Sequence, residues 1–307
     1  MVAKGKSRIW TVVAVVGIAI AVAAAACLVA LFVLHGKAAS PEPAPNAQDT
    51  QESRWPEVDW DFWQEVNPDV VGWISIPGTS ISQPVVQASA SSPDWYLSHD
   101  VYGTWNPWGA VFIDADCAGG LLGSPNAVVY GHHMNDGTMF AELANYTDQA
   151  WASEHATVLV QTPTEKRAYK VRFADTVSNW TLPKRVEFLD KTDFDSWYSD
   201  GLSSAASTVD GEEEAEQTIS LVTCSYWWYT DERTVATCSE DFEDLDTVVS
   251  DGSKALGFQG RRAAVHERVW GEIEAAKKAE MEAVAASEAM AKDAGADEDD
   301  EPTAVTP

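Results

Sequence analysis

The chain has 307 residues, 45% of them hydrophobic, with 20 Lys and Arg against 48 Asp and Glu for a formal net charge of −28. Length and apolar content together support a real core and exclude a wholly disordered protein. The acidity excludes unaided binding to a nucleic-acid backbone, and four cysteines are too few to staple a mini-scaffold.

Residues 9–34 form an uncharged run rich in Val, Ala, Ile and Leu. About 20 apolar residues in a helix cross a bilayer core, so this run is long enough to span. Lys4, Lys6 and Arg8 precede it and only Lys37 follows closely. The positive-inside bias then leaves residues 1–8 in the cytoplasm and the remainder outside. A cleaved signal peptide has a shorter apolar stretch, roughly 7–15 residues, so the run reads as a single-pass signal anchor in the cell membrane. Residues 35–54, rich in Pro and Ala, read as an extracellular stalk, and residues 55–260 as one folded domain. Residues 261–307 read as a helix carrying Val265, Val269 and Ile273 at fourfold spacing, followed by an acidic, disordered end. That helix is expected to be a solvated or partner-facing appendage.

Within the domain, residues 58–66 predict an amphipathic helix that stops at Asn67-Pro68. Short strands are predicted over residues 70–76, 81–86, 109–113, 127–130, 157–161, 168–174, 218–223 and 234–238. A helical patch at 194–206 interrupts them before an acidic loop at 212–214. Many short strands broken by Gly and Pro turns predict a mainly β barrel or sandwich rather than a βαβ sheet.

Two segments carry chemistry. One runs Asn126-Ala-Val-Val-Tyr-Gly-His132-His-Met-Asn-Asp-Gly-Thr-Met-Phe140, a strand delivering histidine into a turn punctuated by glycine. The other, Ser220-Leu-Val-Thr-Cys224, is a strand ending on cysteine, with Arg233 nine positions on. A thiol becomes nucleophilic when a base or cation favours the thiolate, and a fixed guanidinium stabilises the oxyanion of acyl transfer. Taken singly, each residue has a plainer reading. A histidine after a strand is usually a turn residue, a cysteine in a β-rich stretch a small buried hydrophobe, and Arg233 a surface partner of Asp231 or Glu232. Asp136 reads as a turn former. Cys117 and Cys238 form a candidate extracellular disulfide, and Cys27 lies inside the apolar run.

These segments resemble the sortases, and among them class B. Tyr130-Gly-His-His-Met-Asn-Asp-Gly-Thr-Met-Phe140 is similar to the family's histidine motif. Ser220-Leu-Val-Thr-Cys224 is similar to its Thr-Leu-x-Thr-Cys motif, and Asn67-Pro-Asp-Val-Val-Gly-Trp-Ile-Ser-Ile-Pro-Gly78 to its entry into the first strand. The likeness covers about residues 55–240. Ser220 stands for the usual threonine and His133 for the usual asparagine; the pattern gives the catalytic role to His132.

The resemblance implies a closed barrel of about eight strands, an N-terminal helix and an extra helix before the cysteine strand. It implies a membrane-anchored extracellular transpeptidase of Gram-positive bacteria that uses no metal or other cofactor. Cys224 would attack a C-terminal sorting signal of a secreted protein, Arg233 steady the oxyanion and His132 shuttle the proton. Thr223, Ser220 and Trp227 would line the substrate site. The acyl acceptor would be an amine of a peptidoglycan precursor, or a pilin lysine if the enzyme polymerises pili. Two readings from other classes are a membrane-tethered cysteine peptidase using water as acceptor, and a tryptophan-rich adhesin indifferent to loss of Cys224.

Overall fold

A computed structural model describes residues 54–178, 184–210, 214–226, 229–244 and 257–296, with side chains at all of these except 224–226, 229, 230 and 288–296. Among the described residues no helix is long and apolar enough to cross a membrane; the run at 9–34 lies outside them, as do the stalk before residue 54 and the acidic end beyond 296.

The first helix, α1 (Trp60–Val66), starts where the Asp59 carboxylate accepts from the Phe62 amide. It stops at Asn67, held extended ahead of Pro68. The strands are β1 (Val70–Ser75), β2 (Ser82–Gln87), β3 (Val111–Ile113), β4 (Asn126–Tyr130), β5 (Thr157–Gln161), β6 (Lys166–Ser178), β7 (Ser207–Thr208), β8 (Thr218–Tyr226) and β9 (Tyr229–Glu240). They hydrogen-bond in the order β5-β1-β2-β3-β4-β8-β9-β6-β7, and β5 pairs again with β6. Eight strands therefore close into the expected barrel, with β7 appended to β6. Two neighbours, β2 with β3 and β4 with β8, run parallel. The remaining helices are α2 (Gly120–Gly123), α3 (Gln149–Glu154), α4 (Lys191–Ser204) and α5 (Gly257–Ala296).

The barrel is filled by apolar side chains from every wall, among them Ile74, Val85, Ile113, Val129, Val160, Val171, Ile219 and Leu221. Phe140, Leu143 and Tyr146, on and beside a 3-10 segment (Ala141–Thr147), complete that core. Outside the barrel, α4 and α5 bury a second cluster built on Phe173, Phe194, Tyr198, Val265, Val269 and Trp270.

Several boundaries differ from the sequence reading. Strand β6 begins at Lys166 rather than 168, since Arg167 sits fully buried in the ladder, its Nη1 donating to both Glu240 oxygens at 2.9 and 3.0 Å. Helix α4 begins at Lys191 rather than 194, because Asp190 caps it by accepting from the Asp193 amide.

The helix after residue 256 is not a solvated appendage over its first half. Arg261, Val265, Val269 and Trp270 are buried, and Trp270 Nε1 donates to the Glu216 carbonyl at 2.8 Å. The Glu216 carboxylate also accepts from Arg262 Nε at 2.7 Å and lies 2.8 Å from His266 Nδ1. The candidate disulfide is likewise corrected: Cys117 and Cys238 are both buried free thiols. Cys117 Sγ accepts from the Val128 amide at 3.4 Å, and Cys238 lies against the Ala236 carbonyl.

Candidate active site

Backbone register gathers three of the predicted residues. In the parallel pair β4–β8, Tyr130 lies beside Val222, and the next amide, Gly131 N–H, donates to the Val222 carbonyl at 3.1 Å. His132 follows at once. Two residues beyond Val222 along β8 comes Cys224, paired across the antiparallel ladder with Arg233 of β9. His132, Cys224 and Arg233 thus sit at one end of three adjacent strands, although 101 positions separate the first from the last.

The histidine is anchored from both sides. Phe140 is fully buried, and a Cβ built on Gly131 would lie 2.5 Å from Phe140 Cγ. Only glycine lets the chain pass under that ring. The Phe140 amide donates back to the His132 carbonyl at 2.9 Å, closing a loop in which Gly137 (φ 82°) and Met139 (φ 59°) make the tight turn. Asp136 is exposed and accepts from the Thr138 amide at 3.0 Å and its hydroxyl at 2.6 Å; these bonds, the hydroxyl's foremost, hold its carboxyl below the usual range. It is a turn former, as expected. His133 is half-buried and bridges to Met139 through the backbone.

The imidazole of His132 places Nε2 2.8 Å from the carbonyl of Leu97, the last residue of a 3-10 turn (Trp95–Leu97). A carbonyl only accepts, so Nε2 carries the hydrogen. In the neutral ring that leaves Nδ1 as the nitrogen free to take a proton.

Leu97 also borders a cavity of about 450 Å³ whose lining includes Pro93, Phe112, Asp114, Tyr130, Lys184 and Arg233. Its walls are apolar along β3 and β4, with a polar knot at one end. The buried Asp114 carboxylate accepts from the Tyr130 hydroxyl at 3.0 Å and from Lys184 Nζ at 2.8 Å, while Lys184 also reaches Asp116 at 2.6 Å. Burial, reinforced by Asp114, pushes the Tyr130 phenol far above its ordinary range, so it remains a donor at any physiological pH. Arg233 is half-buried on the cavity wall, its Nη1 donating to the Glu232 carbonyl at 3.0 Å.

The three predicted substrate contacts fare differently. Ser220 is buried and turns its hydroxyl to Asn126 Oδ1 at 2.9 Å and Thr237 Oγ1 at 3.4 Å, tying β8 to β4 and β9. It does not line the cavity beside Leu97. Thr223, one residue before Cys224, is buried with no hydrogen-bond partner for Oγ1 among the described residues. Trp227 and the side chain of Cys224 lie outside the described residues.

Burial pushes the Cys117 thiol up to about 11 and that of Cys238 higher still, so neither supplies thiolate at neutral pH. Leu97, Asp114 and Lys184 were not singled out from the sequence. Asp114 ends a short apolar strand and reads as an ordinary turn acid, and Leu97 contributes only its backbone oxygen.

A family profile for the sortase domain matches residues 74–241, more than half of the chain. Among characterised relatives, Sortase B of Listeria monocytogenes is 36% identical over 94 residues, and Sortase B of Staphylococcus aureus 35% over 92. These matches take in 31% and 30% of this chain, and only 37% and 36% of the relatives' own lengths. Solved structures include a Staphylococcus aureus sortase B–substrate complex, at TM-score 0.52 and 24% identity over 59% of this chain and 84% of that one. Clostridium perfringens sortase B matches at TM-score 0.54 and 24% identity, over 59% of this chain and 98% of the other. These structures share the barrel fold.

Proposed function

Because the chain belongs to the sortase family, we propose that it is a class B-type cysteine transpeptidase. It is held on the outer face of the cell membrane by residues 9–34. It cleaves the C-terminal sorting signal of secreted proteins and passes the acyl group to an amine of a peptidoglycan precursor. The observation that carries this reading is the register: β4, β8 and β9 bring His132, Cys224 and Arg233 to one barrel end, beside a cavity of about 450 Å³.

In the first half-reaction the Cys224 thiolate attacks a backbone carbonyl of the signal. Arg233, already on the cavity wall, meets the developing oxyanion; a positioned donor of this kind is worth about 10²–10³ in rate. The imidazolium of His132 protonates the departing amine from Nδ1 while Nε2 stays bonded to Leu97. The thioester then waits for an acceptor. When that amine arrives, neutral His132 takes one of its protons, the C–N bond forms, and the C–S electron pair returns to sulfur.

Incubating the full chain with sorting-signal peptides and weighing the intact protein tests this. A mass increment of the acyl fragment on Cys224, absent in Cys224→Ala and discharged by an added amine, is the expected result. A folded protein with an alkylatable Cys224 that gains no adduct from any signal peptide would overturn it. Arg233→Lys keeps the charge but loses the planar fork, and adduct formation should slow about 10²-fold or more.

A further inference from the structure

A second cavity, of about 230 Å³, lies on the other side of Arg233 between α4 and the outer face of β6, β8 and β9. Its position follows from register. Successive outward-facing positions of β6, namely Phe173, Asp175 and Val177, pair across to Thr237, Val235 and Arg233 of β9. All of these except Arg233 line this cavity, and Arg233 lines the first one. The row Val177–Arg233–Cys224 therefore forms the boundary between the two cavities. Along a strand, one row to the next outward-facing one is about 7 Å.

The lining of this second cavity includes two aromatic residues, Phe173 and Trp197, and two acidic ones, Asp175 and Asp200. Among the described residues neither carboxylate has an ion-pair partner; Asp175 accepts only from its neighbour's amide, Thr176 N–H, at 2.8 Å. Among the described residues no Lys or Arg lines the space, in contrast to the first cavity with Lys184 and Arg233. At Gly201 the α4 backbone lies against the Phe173 ring, where a Cβ would be 2.5 Å from Cζ, so only a residue without a side chain lets the helix sit this close to β6. The cavity's volume equals roughly eight waters at about 30 Å³ each, room for an alkylammonium stem.

We infer that this cavity receives the acyl acceptor, a peptide bearing a primary ammonium on a flexible stem. This rests on the transpeptidase reading and extends it. A two-substrate enzyme needs its acceptor to approach the thioester from a side the donor does not fill. Carboxylates and aromatic faces gather ammonium ions from solvent and raise their local concentration. The ammonium enters charged and gives one proton to neutral His132. The resulting amine attacks the thioester carbonyl, a second proton leaves to water, and the C–S bond breaks with its electron pair returning to Cys224 sulfur. The products are an amide, a thiolate and an imidazolium, which is the starting state of the enzyme.

The test acylates the full chain with a signal peptide and titrates Nα-acetyl-lysine amide against thioester discharge. In Asp175→Asn/Asp200→Asn the KM for the amine should rise about fivefold with kcat at saturation little changed, and about 0.5 M salt should raise the wild-type KM similarly. An exposed carboxylate on α3, changed in Glu154→Gln, controls for net charge and should leave KM alone. A KM unmoved by the double substitution, or moved equally by Glu154→Gln, overturns the inference. Saturation-transfer NMR of the same amine on Cys224→Ala protein reads binding without catalysis. Signal that is lost in the double variant supports the site even if no thioester ever forms, an outcome that sinks the transpeptidase reading alone. Signal that survives it overturns the site while leaving acylation intact.

Discussion

An alanine at position 131 would set its Cβ against the buried ring of Phe140, where neither the ring nor the backbone beneath has room to move. Gly131→Ala should destabilise the domain by about 1–3 kcal/mol, read as a lower urea midpoint, and should slow thioester formation by displacing His132. The cysteines invite a second measurement. Native alkylation at neutral pH should modify Cys224 and spare Cys117 and Cys238, whose thiols burial holds protonated; in denaturant all of them should react, with no reductant needed. The chemical residues were legible in the sequence because each ends or begins a strand within a recognisable run of side chains. Leu97 was not, since a backbone carbonyl leaves no mark on residue type. The pairing of Cys117 with Cys238 was inferred from compartment alone, and both thiols turned out to be small apolar fillers of one core.

Helix α5 carries predictions of a different kind. Trp270 is wholly buried between α4 and the start of β8, whereas Met281, three turns on, is 64% exposed. Trp270→Ala should cost about 3–5 kcal/mol in urea unfolding, and Met281→Ala next to nothing. The Glu216 hub adds a pH dependence. Burial alone raises its carboxyl, but hydrogen bonds from Arg262 and His266 outweigh that, and the pKa falls below 4.5. A depressed folded pKa stabilises the protein above the unfolded value and loses that contribution as pH falls through the folded one. The stability gap between wild type and Glu216→Gln should accordingly be full above pH 4.5 and close below it. The sequence showed that α5 is a helix but not that it docks. The apolar spacing of Val265, Val269 and Ile273 is the same for a core-facing helix and a partner-facing one. What decides between them is Arg261 and Trp270, residues whose burial depends on polar partners on β8 and its approach.

At the scale of the whole molecule, the eight-strand barrel was expected from the resemblance, and the individual strands from alternation. The parallel pairings β2–β3 and β4–β8 were not, because each joins strands far apart in the chain that no local pattern relates. It is one of those pairings, β4 with β8, that sets His132 level with the cysteine strand. Closure through β5 and β6 has a further effect. A sheet with open margins exposes unpaired amides and carbonyls that a second chain can extend into a fibril. Here the strand order ends on β7, whose outer margin is two residues long. A strand arriving at that margin therefore finds a ladder only two residues long to join.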